Sequence, residues 1–151
     1  MGRKLVIYLD TCIYGRPFDW PQTPKIRAEA NAVDTVLKKR ERGELRIIGS
    51  AAASFEIGQI TNAAKRKTID AYYRKAITET TTPTTQIKKR VGVLMTAGLG
   101  DMDAAHLAIA EDAGAGFLLT VDKDFIKKCN DLNLTIVKVM NPTTFVKGGY
   151  L

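Results

Sequence analysis

The sequence predicts an α/β protein: a three-layer α/β/α sandwich with a mostly parallel central sheet. Three observations carry this. Short apolar runs at 5–9, 45–49, 117–121 and 135–139 read as buried strands. Segments with apolar residues at helical spacing separate them, which is the order of a parallel sheet covered on both faces. The composition, 45% hydrophobic and 26% charged over 151 residues, suits one hydrophobic core rather than a disordered chain, so one domain over 1–151 is expected.

The elements follow in order. Leu5-Val6-Ile7-Tyr8-Leu9 forms the first strand, and Asp10 stops it. Residues 15–24 hold Pro17, Pro21 and Pro24 and read as a loop. A helix over 25–42 places Ile26, Ala30, Val33 and Leu37 on one face, with Pro24 favouring its start and Gly43 its end. After the strand at 45–49, Ser50 and Ser54 can cap a helix running to about 62. Residues 67–77 read as a further helix. Residues 78–85 are β-branched and contain Pro83, which suits a short strand or extended loop. Helical spacing returns over 86–97, and Gly98-Leu99-Gly100 breaks it. Asp101 is expected to cap a helix over 102–113. A strand at 117–121, a helix at 123–130 and a strand at 135–139 follow. Asn141-Pro142 is expected to end the pattern, with Phe145 anchoring the tail.

Several classes of function are disfavoured. The apolar run after Met1-Gly2-Arg3-Lys4 stops at five residues, too short for a secretory signal, and no stretch approaches the ~20 apolar residues of a membrane helix. A cytoplasmic protein without membrane contact is expected. Two cysteines, Cys12 and Cys129, make neither a disulfide scaffold nor a C-x-x-C zinc motif. The net charge of +7 suits contact with a polyanion such as RNA.

The acids are the informative residues. Sites in such folds lie beyond the carboxyl ends of the strands. Asp10 follows the first strand and Asp122 the strand at 117–121. Glu56 is expected near the beginning of the helix after the second strand, and Asp103 in the first turn of the helix opened by Asp101. Each alone reads as a helix cap or a first-turn charge. Four converging carboxylates in apolar surroundings instead repel one another and call for a cation. Oxygen ligands suit Mg²⁺ or Mn²⁺, and at least one carboxyl should have a raised pKa without the metal. The matching chemistry is phosphodiester hydrolysis by metal-activated water.

At these residues the chain resembles the PIN-domain ribonucleases, which include VapC-type toxins of toxin–antitoxin pairs. The resemblance rests on Tyr8-Leu9-Asp10-Thr11, Ser54-Phe55-Glu56-Ile57, Asp103-Ala104-Ala105-His106-Leu107-Ala108, Leu119-Thr120-Val121-Asp122 before Phe125, and the closing Val139–Phe145 stretch. It implies a PIN-like fold, a Mg²⁺ or Mn²⁺ site and endonucleolytic cleavage of RNA. The implied catalytic and metal-holding residues are Asp10, Glu56, Asp103 and Asp122. Asp124 is the alternative fourth acid. Thr11 is implied as site support, orienting Asp10 or a water. Cys12 stands where members more often carry Asn or Ser. An antitoxin partner and a homodimer are further implications.

Other residues are weighed beside these. His106, the only histidine, reads as a structural imidazole bonded to the backbone rather than a general base. Cys12 reads as a small filler beside the site. Arg16, Lys88, Lys89 and Arg90 are candidates for RNA contact, Arg16 being equally suited to pinning its loop. Two other functions compete. One is a catalytically silent PIN-like module that binds RNA or protein. The other is a phosphatase of the haloacid-dehalogenase kind, which wants a second Asp where Cys12 stands.

Overall fold

Side-chain alternation in β1 (Leu5–Leu9) decides how the molecule is layered. Ile7 and Leu9 enter one hydrophobic core and Tyr8 enters another, on the opposite face of the sheet. In the computed structural model, which describes residues 4–151, β1 is the central strand of five. The basic start Met1-Gly2-Arg3 lies outside the described residues. The other strands are β2 (Leu45–Ser50), β3 (Glu79–Thr81), β4 (Phe117–Leu119) and β5 (Lys138–Met140). Their order is β3-β2-β1-β4-β5, and every pairing is parallel. Ile7 aligns with Ile47 on one side and Phe117 on the other.

The sequence reading of a three-layer α/β/α sandwich holds. The Ile7/Leu9 face is covered by α1 (Thr11–Gly15), α2 (Pro24–Glu41), α4 (Ala63–Ala76) and α8 (Pro142–Lys147). The Tyr8 face is covered by α5 (Thr85–Thr96), α6 (Asp101–Asp112) and α7 (Lys123–Asp131). The short helix α3 (Ala51–Gly58) follows β2 directly, with Ser50 capping it through the Ala53 amide. No helix among the described residues is long and apolar enough to cross a membrane.

Several boundaries differ from the expected ones, each for a local reason. The stretch at 15–24 is not all loop: α1 ends at Gly15, and a 3-10 turn covers Arg16–Phe18. The buried face of α2 carries Glu29, Ala32, Val33 and Val36, so Ile26 and Leu37 lie at its margins. The helix after β2 stops at Gly58, because Asn62 caps a new helix four residues before the expected start at 67. Asp101 does not cap α6. Gly100 holds that position, and the Asp101 carboxylate accepts only the Met102 amide. β4 ends at Leu119; the Thr120 amide still donates to the Met140 carbonyl at 3.0 Å, while its hydroxyl serves Asp10 and the Asp122 amide. β5 begins at Lys138 rather than 135, because the Thr135 hydroxyl binds Glu111 and the Val137 amide in a turn. Asn141-Pro142 starts α8 instead of ending the pattern: the Asn141 side chain accepts the Thr143 amide, and proline suits the first helical turn. Phe145 is fully buried, as an anchor should be.

Candidate metal centre at the carboxyl edge of the sheet

The site is built where β1 and β4 end side by side. The Asp10 amide donates to the Leu119 carbonyl at 3.0 Å, which carries the pairing one step past β1. Asp10 then caps α1, and its Oδ1 accepts the Thr11 amide at 2.7 Å. Its Oδ2 accepts the Thr120 hydroxyl at 2.7 Å. Thr120 in turn accepts the Asp122 amide, so one buried hydroxyl ties the two strand-end acids together. The role of Thr120 was not foreseen; its signal was its place in the Leu119-Thr120-Val121-Asp122 run.

Glu56 arrives from α3. It is the sixth of eight helical residues, not near the beginning as expected, because α3 starts directly at the strand end. Its Oε1 accepts the Thr11 hydroxyl at 2.6 Å and faces His106 Nε2 at 2.5 Å. Thr11 is therefore a support for Glu56 through its hydroxyl and for Asp10 through its amide. The bond from His106 is the main cause holding the Glu56 carboxyl below its ordinary value, against its partial burial.

Asp103 lies in the first turn of α6, half-buried. Burial first, then the charges of Asp10 and Asp122, push its carboxyl up to about 6. One carboxyl raised by burial and by neighbouring acids is what the sequence reading expects of this cluster. Asp122 caps α7, accepting the Asp124 and Phe125 amides, so the helix-cap reading also holds for it. Asp124 turns away to Lys128 at 3.2 Å and is exposed.

His106 is held by side chains, where a bond to the backbone is expected from the sequence. Both ring nitrogens face side chains, not the backbone: Nε2 faces Glu56 and, at 3.5 Å, Asp10 Oδ1, while Nδ1 meets the Tyr8 hydroxyl at 2.5 Å. The reason is positional. Three residues after Asp103, it shares that helical face, and Tyr8 projects from β1 toward α6. Burial lowers its pKa, but the Glu56 bond and the charges of Asp10 and Asp103 outweigh burial and raise it overall. Ligand atoms of Asp10, Glu56 and His106 all lie within 4.8 Å of one another. This donor set fits a divalent cation. Cys12 is inert beside it: burial first, then the Asp10 charge, push the thiol up to about 12.

The proposed RNA contacts divide. Arg16 pins its loop, pairing with Asp19 at 2.9 Å and the buried Glu29 at 3.2 Å. Arg90 holds Glu111 with two bonds and donates to the Leu134 carbonyl. Lys88 and Lys89 are exposed, but they accompany Arg90 to the far end of α6. Glu111 is eight residues beyond Asp103, about 12 Å along the helix axis. Nearer the acids, Lys123 directly follows Asp122 and lies beside Lys25. That contact and the Lys123 charge lower the Lys25 ammonium from its ordinary value. This lysine pair escaped the sequence reading because its members are far apart in the chain.

The sequence matches no protein-family model and no curated protein. Solved structures do share the fold. A chain of VapBC-1 from nontypeable Haemophilus influenzae aligns with a TM-score of 0.58 at 17% identity, over 92% of this chain and 99% of that one. A chain of VapBC2 from Rickettsia felis, solved bound to a DNA fragment from the promoter, aligns with a TM-score of 0.56 at 12% identity, over 91% and 98%. At such identities the likeness is one of fold, and the fold is PIN-like, as the motifs implied.

Proposed function

We propose that this chain is a metal-dependent endoribonuclease and the toxin half of a toxin–antitoxin pair. The observation that carries the reading is the gathering of Asp10, Glu56, Asp103 and Asp122 from four separate elements at one sheet edge, where burial first and then the neighbouring charges hold the Asp103 carboxyl up to about 6. These four residues would hold the ion, with Asp122 taken over Asp124 because Asp124 faces Lys128. A bound Mg²⁺ or Mn²⁺ would polarise the scissile phosphate and lower the pKa of the attacking water. The likeness to VapBC structures supports the antitoxin partner.

The chain's own residues prepare the site. The Thr11 amide and Thr120 hydroxyl fix both oxygens of Asp10, and Thr11 and His106 fix Glu56. Little side-chain freedom is then left to lose when the ion and substrate bind. Burial of Asp10 keeps bulk water from the back of the site and strengthens the charge interactions in front of it. Lys25 and Lys123 draw the phosphate backbone to the rim.

The test is an RNA cleavage assay with Mg²⁺ or Mn²⁺ and with exhaustive EDTA. Cleavage is expected to require the metal and to fall at least ~10²-fold in Asp10→Asn, a scale typical of lost transition-state stabilisation. Asn also caps helices, so that variant should keep α1 and its melting temperature. Cleavage that survives EDTA would overturn the reading. RNA binding without any cleavage would point instead to a catalytically silent PIN-like module.

A further inference from the structure

His106 is not needed by an acid-only metal centre, yet it occupies the middle of this one. Its Nε2 lies 2.5 Å from Glu56 Oε1 and 3.5 Å from Asp10 Oδ1. Cis ligands of a six-coordinate divalent ion stand about 3 Å apart, and these two separations bracket that distance. The three residues are also the group whose donor atoms lie within 4.8 Å of one another; Asp103 and Asp122 are outside it.

The other side of the ring is arranged to match. Nδ1 meets the Tyr8 hydroxyl at 2.5 Å, and that hydroxyl meets Ser50 Oγ at 2.7 Å. Ser50 Oγ accepts the Ala53 amide as well. To ligate an ion, Nε2 would give its proton to solvent and exchange its hydrogen bond to Glu56 for the metal; with Nδ1–H then donating to Tyr8 and the Tyr8 proton donated to Ser50, the Nε2 lone pair would face the space between the two carboxylates. A carboxylate, backbone carbonyl or water usually accepts the remote N–H of a ligating histidine, and here the Tyr8 hydroxyl oxygen stands in that place. Tyr8, Ser50 and His106 are all buried, so the arrangement is built into the core rather than adopted at the surface.

We infer that His106 is a direct nitrogen ligand of the divalent cation, joining Asp10 and Glu56, and that it biases the centre toward Mn²⁺ over Mg²⁺. The inference rests on the proposed metal site and redistributes its contacts: Asp103 and Asp122 bind through water or face the substrate side. The chemical ground is donor softness. Mg²⁺ strongly prefers oxygen and gives up its waters reluctantly, whereas Mn²⁺, a transition-metal ion, tolerates a nitrogen ligand better than Mg²⁺ does. A two-carboxylate, one-imidazole face separates the two ions more than four carboxylates would.

Because His106 is the only histidine, the test needs no substitution. The untagged chain is loaded with Mn²⁺ and studied by pulsed electron paramagnetic resonance, once with natural histidine and once with ¹⁵N-histidine. A nitrogen coupling that changes with the label is expected. In parallel, calorimetry compares the two ions. His106→Asn should lose at least ~10-fold in Mn²⁺ affinity and less in Mg²⁺ affinity, and Tyr8→Phe should weaken Mn²⁺ binding in the same direction. If Mn²⁺ binds in an Asp10-dependent manner but shows no histidine coupling, the inference fails and the metal site stands. If no ion binds, both fail. Equal losses of the two ions in His106→Asn would overturn the selectivity.

Discussion

Asp103 bears the cost of half-burial first and of its acidic neighbours second. Its carboxyl stands at about 6 in the folded chain against an ordinary 3.8. The folded state therefore holds this proton more tightly than the unfolded state does. The stability this contributes is complete below pH 4 and is lost as pH rises through about 6. Asp103→Asn removes the ionised form, so with chelator present it should be more stable than the parent at pH 8. The gain is about 1–2 kcal/mol once discounted for a half-exposed group. The difference should close below pH 4. Melting curves across that range check it, and an equal difference at all pH values would contradict the raised Asp103 carboxyl. The same substitution should lower RNA cleavage at least ~10²-fold in the metal-loaded protein. A stabilised yet inactive variant is what separates a functional carboxylate from a structural one.

At the scale of elements, α6 links function to fold. Its first turn carries Asp103, its second carries His106, and its last carries Glu111, which receives Arg90 from α5. Arg90→Glu would face Glu111 with a like charge and release the Leu134 carbonyl. It should cost about 1–3 kcal/mol, seen as a lower melting temperature, whereas Lys88→Glu should be near neutral. Unchanged melting in Arg90→Glu would show that the pair holds nothing together. β2 has a tight point of its own at Gly49. A Cβ there would lie 2.7 Å from the Tyr73 hydroxyl and 2.9 Å from Ile77 Cδ1. Tyr73 accepts the Ser50 amide at 2.9 Å, so Gly49→Ala would disturb the strand end that carries the Tyr8 and His106 network.

For the whole molecule, the sandwich was legible in the sequence because its strands are marked locally as apolar runs, and Asp10 and Asp122 stand just past two of them, whereas Glu56 and Asp103 lie within helices and carry no such mark. The boundaries read less well where a side chain chose between two roles. Asn141 could end a pattern or begin a helix, and its bond to the Thr143 amide decided the matter. Thr135 could extend a strand but bound Glu111 instead. His106 was misread because its partners, Glu56 and Tyr8, are 50 and 98 residues away and meet it only when α3, α6 and β1 assemble. The basic clusters were visible as charge, but not which end of α6 they would occupy. That placement yields a test. Charge reversal at Lys25 and Lys123 should weaken RNA binding more than reversal at Lys88 and Lys89, and should flatten the dependence of affinity on salt. Equal effects of the two pairs would locate the RNA elsewhere.

The hydrogen bond from the Asp10 amide to the Leu119 carbonyl has a kinetic meaning as well. It lies in the central strand pair, between two cores that share one sheet. That amide can meet solvent deuterium only when β1 and β4 part, and their parting opens both cores at once. Asp10 is therefore expected to stay in place as long as β1 and β4 stay paired. The Asp10 amide should exchange at the rate of global unfolding, together with the amides of β1 and β4, and loss of activity on heating should coincide with loss of the fold. Exchange at Asp10 well ahead of those neighbours would mean the site opens on its own.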